Sequence, residues 1–397
     1  MQRFISSLRK TDLVALAILS MFLINPFGFG FVFGYLLVLW VVLQPNLIAA
    51  ITGDTMFWTL LLFSVVYGAF YALNPEQGIQ YIIIYLTFPW TFYLLGKNMG
   101  AGVFDRDAFY ILFFLIATFY SITPILSIGK NILNGGFVQF SRDIPNFWNG
   151  KIEKATLIAI PFAFQMLILA FLYTKKQYSK YLFNIAALLI FVLAMLCTFR
   201  IGSRTLLMVF FITSLLAFFL FFNKSSIGVK TLSLILMLIA AVYMIDYIYI
   251  DLNSDYLSVL GQRLQDSDNA QSAGGRTERW MSSVENLIEH PLGWKLSEFG
   301  FAHNFWLDVA RENGLLPLGI LILFTIQSLK LWANFITNNL HDNRVIYLSL
   351  GFFVTSYSIL FLEPIMNGAF DFFCVFCLVH GWLKGLKIME NHEIAVR

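Results

Sequence analysis

Apolar runs of about the length needed to cross a bilayer recur along this 397-residue chain, and that pattern restricts its fold more than any motif does. A helix needs about 20 such residues to span the hydrocarbon core, and somewhat fewer where polar ends snorkel. Twelve runs come near this: residues 12–26, 29–45, 56–73, 79–96, 107–128, 155–174, 181–199, 204–222, 229–250, 304–329, 343–362 and 365–383. Backbone polar groups in lipid must be satisfied within the segment, so runs of this kind read as helices. With 59% hydrophobic and 12% charged residues, the chain holds about half the charge of a soluble domain. The expected fold is an all-α polytopic membrane protein with about twelve transmembrane helices. Pro26, Pro45, Pro75 and Pro364 fall at run boundaries, where a missing N–H costs least. The first run follows MQRFISSLRK without a small-residue cleavage site, and reads as a retained helix rather than a signal peptide.

One stretch breaks the pattern. Residues 251–303 are polar and carry twelve charged residues between Asp251 and Ala302. The chain thus divides into helices one to nine (1–250), a long loop with amphipathic helices (251–303), and helices ten to twelve with a tail (304–397). Lys and Arg in short loops favour the cytoplasm. With the N-terminus inside, fifteen of the 26 basic residues are cytoplasmic, while the short turns at 27–28, 74–78 and 363–364 hold none. Both termini are then cytoplasmic and the long loop faces the opposite side.

An enzyme on that side has no ATP, and the sequence has no GxxxxGK[ST] loop. Any bond it forms must be driven by a substrate that arrives activated. No HExxH or paired-cysteine spacing indicates a metal, and no basic arm indicates nucleic acid. Cys374-Val375-Phe376-Cys377 has redox spacing but lies inside an apolar run, where burial raises a thiol pKa and favours a packing role. Gly30 and Gly34 form a GxxxG suited to close helix packing.

Three places could carry chemistry. Arg200 and Arg204 flank Gly202-Ser203 at a helix junction on the outer side. An arginine facing lipid costs about 2.5–3.5 kcal/mol on insertion scales, so both either snorkel to headgroups or face an anion beside a helix N-terminus. Arg276 follows Gly274-Gly275 at the start of an amphipathic helix closed by Pro291, sharing a face with Arg279 and Trp280. It is either a surface arginine beside Glu278 or a second anion-binding guanidinium favoured by the helix dipole. His303 is the one histidine of five where the loop meets the next apolar run. A neutral imidazole there can take a proton from a hydroxyl, or simply serve as a cap or donor. Asn304 either orients it or caps the following helix, and Asp308, with Arg311 and Glu312 close by, reads as part of a local ion pair rather than of a catalytic dyad.

Gly275-Arg276-x3-Trp280, Asn286-x4-Pro291-Leu292-Gly293 and His303-Asn304-x9-Gly314, preceded by TFRIGSRTLLM, together resemble the O-antigen ligase and O-antigen polymerase superfamily of bacterial envelope glycosyltransferases. The motifs cover Thr198 to Gly314; elsewhere only hydropathy is similar. The resemblance implies a metal-independent, cofactor-free, inverting transfer at the periplasmic face of the bacterial inner membrane. The donor would be a glycan on undecaprenyl diphosphate. The acceptor would be a lipid A-core sugar in a ligase, or another lipid-linked glycan in a polymerase. Carried over by position, Arg204, Arg276 and His303 would be catalytic, with Arg200 the alternative to Arg204, and Arg279, Trp280 and Asn304 would bind substrate. The ligase pattern places Gly, Thr or Tyr three positions after the glycine matched by Gly314, where this chain has Pro317. Ligase remains the expectation and polymerase the alternative. A lipid-linked oligosaccharide transporter, from another class, would instead carry ionisable groups near mid-bilayer in several helices.

Overall fold

The computed structural model describes residues 10–44, 51–102, 106–137, 141–165, 178–224, 276–295, 300–338 and 343–396, with Ile227, Gly228, Thr231 and Val259 besides. Their architecture is helical. In chain order the elements are α1 (Lys10–Ile24), a 3-10 turn (Pro26–Gly28), α2 (Gly30–Val42), α3 (Thr55–Tyr71), α4 (Gln80–Gly102) and α5 (Arg106–Gly135). A small antiparallel pair, β1 (Ile144–Pro145) with β2 (Ile152–Glu153), then interrupts the helices. After it come α6 (Ala155–Ala159), α7 (Phe162–Gln165), α8 (Tyr178–Ile201), α9 (Arg204–Lys224), α10 (Arg276–Glu289) and α11 (Phe305–Asn313). The chain ends with α12 (Leu315–Asn338), α13 (Asn343–Leu362), α14 (Ile365–Gly368) and α15 (Phe370–Val396).

The centre of the bundle is the first half of α15. Phe372 to Val379, with His380, Trp382 and Leu383, are buried without a break, as expected of a helix surrounded by others. Its main partner is α4. The two approach so closely that a Cβ at Gly96 would run into the Leu378 carbonyl and one at Gly381 into the Tyr93 carbonyl, with Gly100 and Gly385 one turn on in the same position. GKNMG and GWLKG are thus a facing pair of GxxxG motifs, a stronger packing signal than the Gly30/Gly34 pair. Gly381→Ile forces apart two backbones that have no room to give, so its expected cost is about 3 kcal/mol, the upper end of ordinary overpacking. The measurement is the thermal midpoint of the purified variant, and an unchanged midpoint would refute this account of the crossing.

Two expected runs are not single helices. Residues 155–174 break into α6 and α7 where Pro161 removes a donor, and 166–174 lie outside the described residues. Residues 304–329 break at Gly314, whose φ of 79° no continuing helix can adopt. The run 229–250 also lies outside the described residues, apart from Thr231. The count of twelve spans is therefore corrected among the described residues. Two helices, Phe113–Gly135 and Leu315–Asn338, are long and apolar enough to cross a membrane, and seven further apolar helices are shorter.

The outer faces are as apolar as the centre. Val14, Leu39, Trp58, Leu62, Leu189, Phe211 and Leu323 all point outward and exposed. Charged groups collect instead at the helix ends. At one end Lys97 pairs with Asp54 at 2.5 Å, both buried, and Asp54 also caps α3 by accepting from Phe57 N. The opposite end holds the junction between α8 and α9, the start of α10, the loop into α11 and the corner after α13.

Candidate active site

The loop into α11 is held by two side chains of that helix. Asn304 takes an extended conformation and its Oδ1 accepts from Trp306 N and Leu307 N at 3.1 and 3.2 Å, a standard N-cap. One turn on, Asp308 is 1% exposed, and its two oxygens accept from Ala302 N at 2.8 Å and Asn304 N at 3.1 Å. A single carboxylate therefore clamps the backbone on both sides of His303. The residue between is held at φ 54°, in the left-handed region that a non-glycine residue enters at a cost of about 1 kcal/mol or more. Trp280 of α10 secures the same loop, its Nε1 donating to the Ala302 carbonyl at 2.9 Å while its ring meets Phe361 at 4.8 Å.

His303 is the residue of this clamp whose backbone is strained. Its Nδ1 is buried and has no hydrogen-bond partner. Burial, then Arg276, Arg279 and Lys154, lower its pKa to about 4, so the imidazole is neutral at pH 7 with a lone pair on offer. His380, which is fully buried where His303 is half-buried, is engaged with Ser328, Trp332 and the Phe376 carbonyl. Asp308→Asn replaces one acceptor of the clamp by a donor and leaves a buried N–H orphaned. It is expected to cost about 1–3 kcal/mol. Nuclear magnetic resonance of the His303 ring should show a mobile imidazole, and an unaltered ring signal would count against the clamp.

Arg276, which acts on His303, also belongs to a group of cations around one acid. Arg276 Nη2 lies 3.4 Å from Glu363 Oε1, and the Glu363 side chain is 3% exposed at the corner between α13 and α14. Arg142, from the segment before β1, donates through Nε to the Ile201 carbonyl at 2.8 Å, at the end of α8. Burial lowers the pKa of Arg142; Asp143 raises it, Arg204 lowers it and Glu363 raises it. Arg142 thus lies within electrostatic reach of both Arg204 and Glu363. Arg204 starts α9 after a tight turn at Gly202, φ 57°, and Ser203. Arg200 is 1% exposed and donates through Nη2 to the Ser141 carbonyl at 3.2 Å, tying down the segment that carries Arg142, while its Nε and Nη1 lack partners.

The remaining motif residues build the frame. Trp294 N donates to the Arg311 carbonyl and Leu315 N to the Pro291 carbonyl, both at 2.8 Å. Gly293, φ 99°, and Gly314, φ 79°, lie where a Cβ would strike the opposing backbone. Pro291-Leu292-Gly293 and Gly314 are therefore the two halves of one docking contact that fixes α10 against α11.

Of the sequence-derived residues, Arg276 and Arg279 lie within electrostatic reach of His303, Arg204 is linked to Arg276 only by way of Arg142 and Glu363, and Arg200 is tied to the Ser141 carbonyl. Trp280 and Asn304 hold the loop. Arg142, Lys154, Asp308 and Glu363 were not singled out as site residues. A carboxylate alone between two apolar runs, as Glu363 is, was the available signal, because a buried acid requires a partner. The described residues hold no cluster of metal-ligating type. No protein-family model matches the chain, and no curated protein matches it significantly.

Proposed function

We propose that the chain is a membrane glycosyltransferase of the O-antigen ligase type, moving a glycan from a polyprenyl diphosphate to a sugar hydroxyl at the outer face of the bacterial inner membrane. The observation that carries the reading is that Arg276, Arg279 and Lys154 lie within electrostatic reach of a neutral His303 whose Nδ1 has no partner, at one end of an apolar bundle, while Arg142 and Arg276 share Glu363 and Arg204 adjoins Arg142. Outward apolar faces support lipid as the surroundings, since a soluble protein rarely exposes so much apolar surface. In this reading α12 enters the bilayer at Leu315, and α11 and the His303 loop lie outside it.

The chemistry follows from the charges. The acceptor oxygen attacks the anomeric carbon and forms the new C–O bond as the bond to the diphosphate oxygen breaks. The acceptor proton passes to His303, and the diphosphate leaves with the bonding pair, held by the guanidinium groups. Bound diphosphate offsets the cations that depress the imidazole, so donor binding raises the proton affinity of the base it depends on.

The test is purified protein given lipid-linked glycan and acceptor without ATP or metal. A new covalent product is expected; glycan crossing a liposome membrane with no product would instead mark a transporter. In cells, loss of a ligase leaves core-only lipopolysaccharide and accumulated lipid-linked chains, whereas loss of a polymerase leaves core bearing one repeat.

A further inference from the structure

A cavity of about 310 Å³ opens between the turn after α3, the turn after α10 and the C-terminal end of α11. It is separate from the cationic group and differs from it in chemistry. Its lining includes the aromatic residues Tyr71 and Trp294, the acids Glu76 and Glu312 with the basic residues Lys295 and His290, and the amide residues Asn74 and Asn313. Trp294 is 7% exposed, yet its Nε1–H is buried without an acceptor. A buried indole N–H left unsatisfied in a polar cavity points to a ligand that supplies an oxygen.

Aromatic residues beside carboxyl and amide groups that between them accept and donate are the mixture that suits a pyranose, which has C–H faces and a rim of hydroxyls. Glu76 and Glu312 set against Lys295 and Arg311 leave no surplus of positive charge here, whereas the arginine cluster has one to offer a phosphate. The volume fits the lower range of ligand pockets and suffices for one or two sugar rings.

The cavity is joined to the His303 loop by one residue. Arg311 is 1% exposed; its Nη2 lies 3.2 Å from Glu312 Oε1 and its Nη1 3.7 Å from Glu76 Oε2. Its guanidinium also lies over the Phe301 ring at 5.3 Å, two positions before His303. Tyr67 further fixes Glu312 by donating to its carboxyl group.

We propose that this cavity is a saccharide subsite, holding a sugar of the glycan substrate away from the bond being made. That the sugar belongs to a substrate rests on the function proposed above; that the ligand is a saccharide rests on the lining alone. The probe is the phosphate-free oligosaccharide released by mild acid from the lipid-linked glycan of cells that make the protein. Its binding to the full-length detergent-solubilised protein is followed by saturation-transfer NMR and calorimetry. Saturable binding is expected, weakened at least tenfold by Trp294→Phe and several-fold by Asn74→Ala, which changes only an exposed turn. Arg276→Ala should leave it within twofold. Absence of saturable binding, or binding lost in Arg276→Ala and unchanged in both cavity variants, overturns the subsite. Trp294-dependent binding by a protein that transfers nothing keeps the subsite and removes the glycosyltransferase; transfer without Trp294-dependent binding does the reverse.

Discussion

His303→Ala is expected to lower glycan transfer by about 10²- to 10⁴-fold, the range that a positioned general base contributes. Binding of the lipid-linked donor should change little, because the cations that face it are untouched. The fold should survive too: the ring makes no hydrogen bond through Nδ1, and the backbone around it is fixed by Asp308 and Trp280 rather than by the imidazole. Alanine at φ 54° keeps the strain that histidine already bears.

The pH dependence follows from the direction of the shift. The imidazole pKa is lowered to about 4 in the free protein, so the basic form predominates above that pH. The acid limb of kcat/KM should therefore fall near pH 4, not near the ordinary histidine value of about 6.5. The limb in kcat reports the donor complex, and it should lie at higher pH because the diphosphate offsets Arg276 and Arg279. Coincident limbs would refute the coupling between donor charge and base. Activity unaffected by His303→Ala would remove the base altogether.

How far the sequence goes can be judged residue by residue. The helices and most of their ends are legible from hydropathy, because apolar runs and their proline and glycine boundaries act locally. Where prediction fails, the cause is also local but finer: Pro161 and Gly314 each split a run whose overall hydropathy is uniform. Arg276 and His303 stand out as polar residues in motifs beside lipid-like sequence. Their geometry does not. The ion pair of Arg276 joins residues 87 positions apart, and Arg142 reaches the end of α8 across 59 positions. Such pairings come from the packing of whole helices and leave no spacing to read. Asp308 is legible only in part, for the opposite reason. Its neighbour at helical spacing, Arg311, suggests an ion pair and does act on its charge, but the oxygens of Asp308 turn back to the backbone on either side of His303, which no spacing announces.

Arg276→Ala is expected to lower transfer by about 10²- to 10³-fold, as loss of one charged donor at a developing anion does elsewhere. A drop in activity alone would not separate catalysis from folding, because the same change removes a cation from Glu363, whose side chain is 3% exposed. That acid retains Arg142 within electrostatic reach, so the stability cost should be about 1–3 kcal/mol rather than that of a charge left wholly alone. The double variant Arg276→Ala/Glu363→Gln separates the two effects. Neutralising the acid removes the stranded charge and should restore most of the thermal midpoint, but it supplies nothing to hold a diphosphate, so transfer should stay lost. Arg276→Lys should recover only part of the rate, since an ammonium group lacks the paired donors a guanidinium offers to phosphate oxygens. If transfer returned together with stability in the double variant, Arg276 would be a structural partner of Glu363 and the leaving group would have to be held by the other cations.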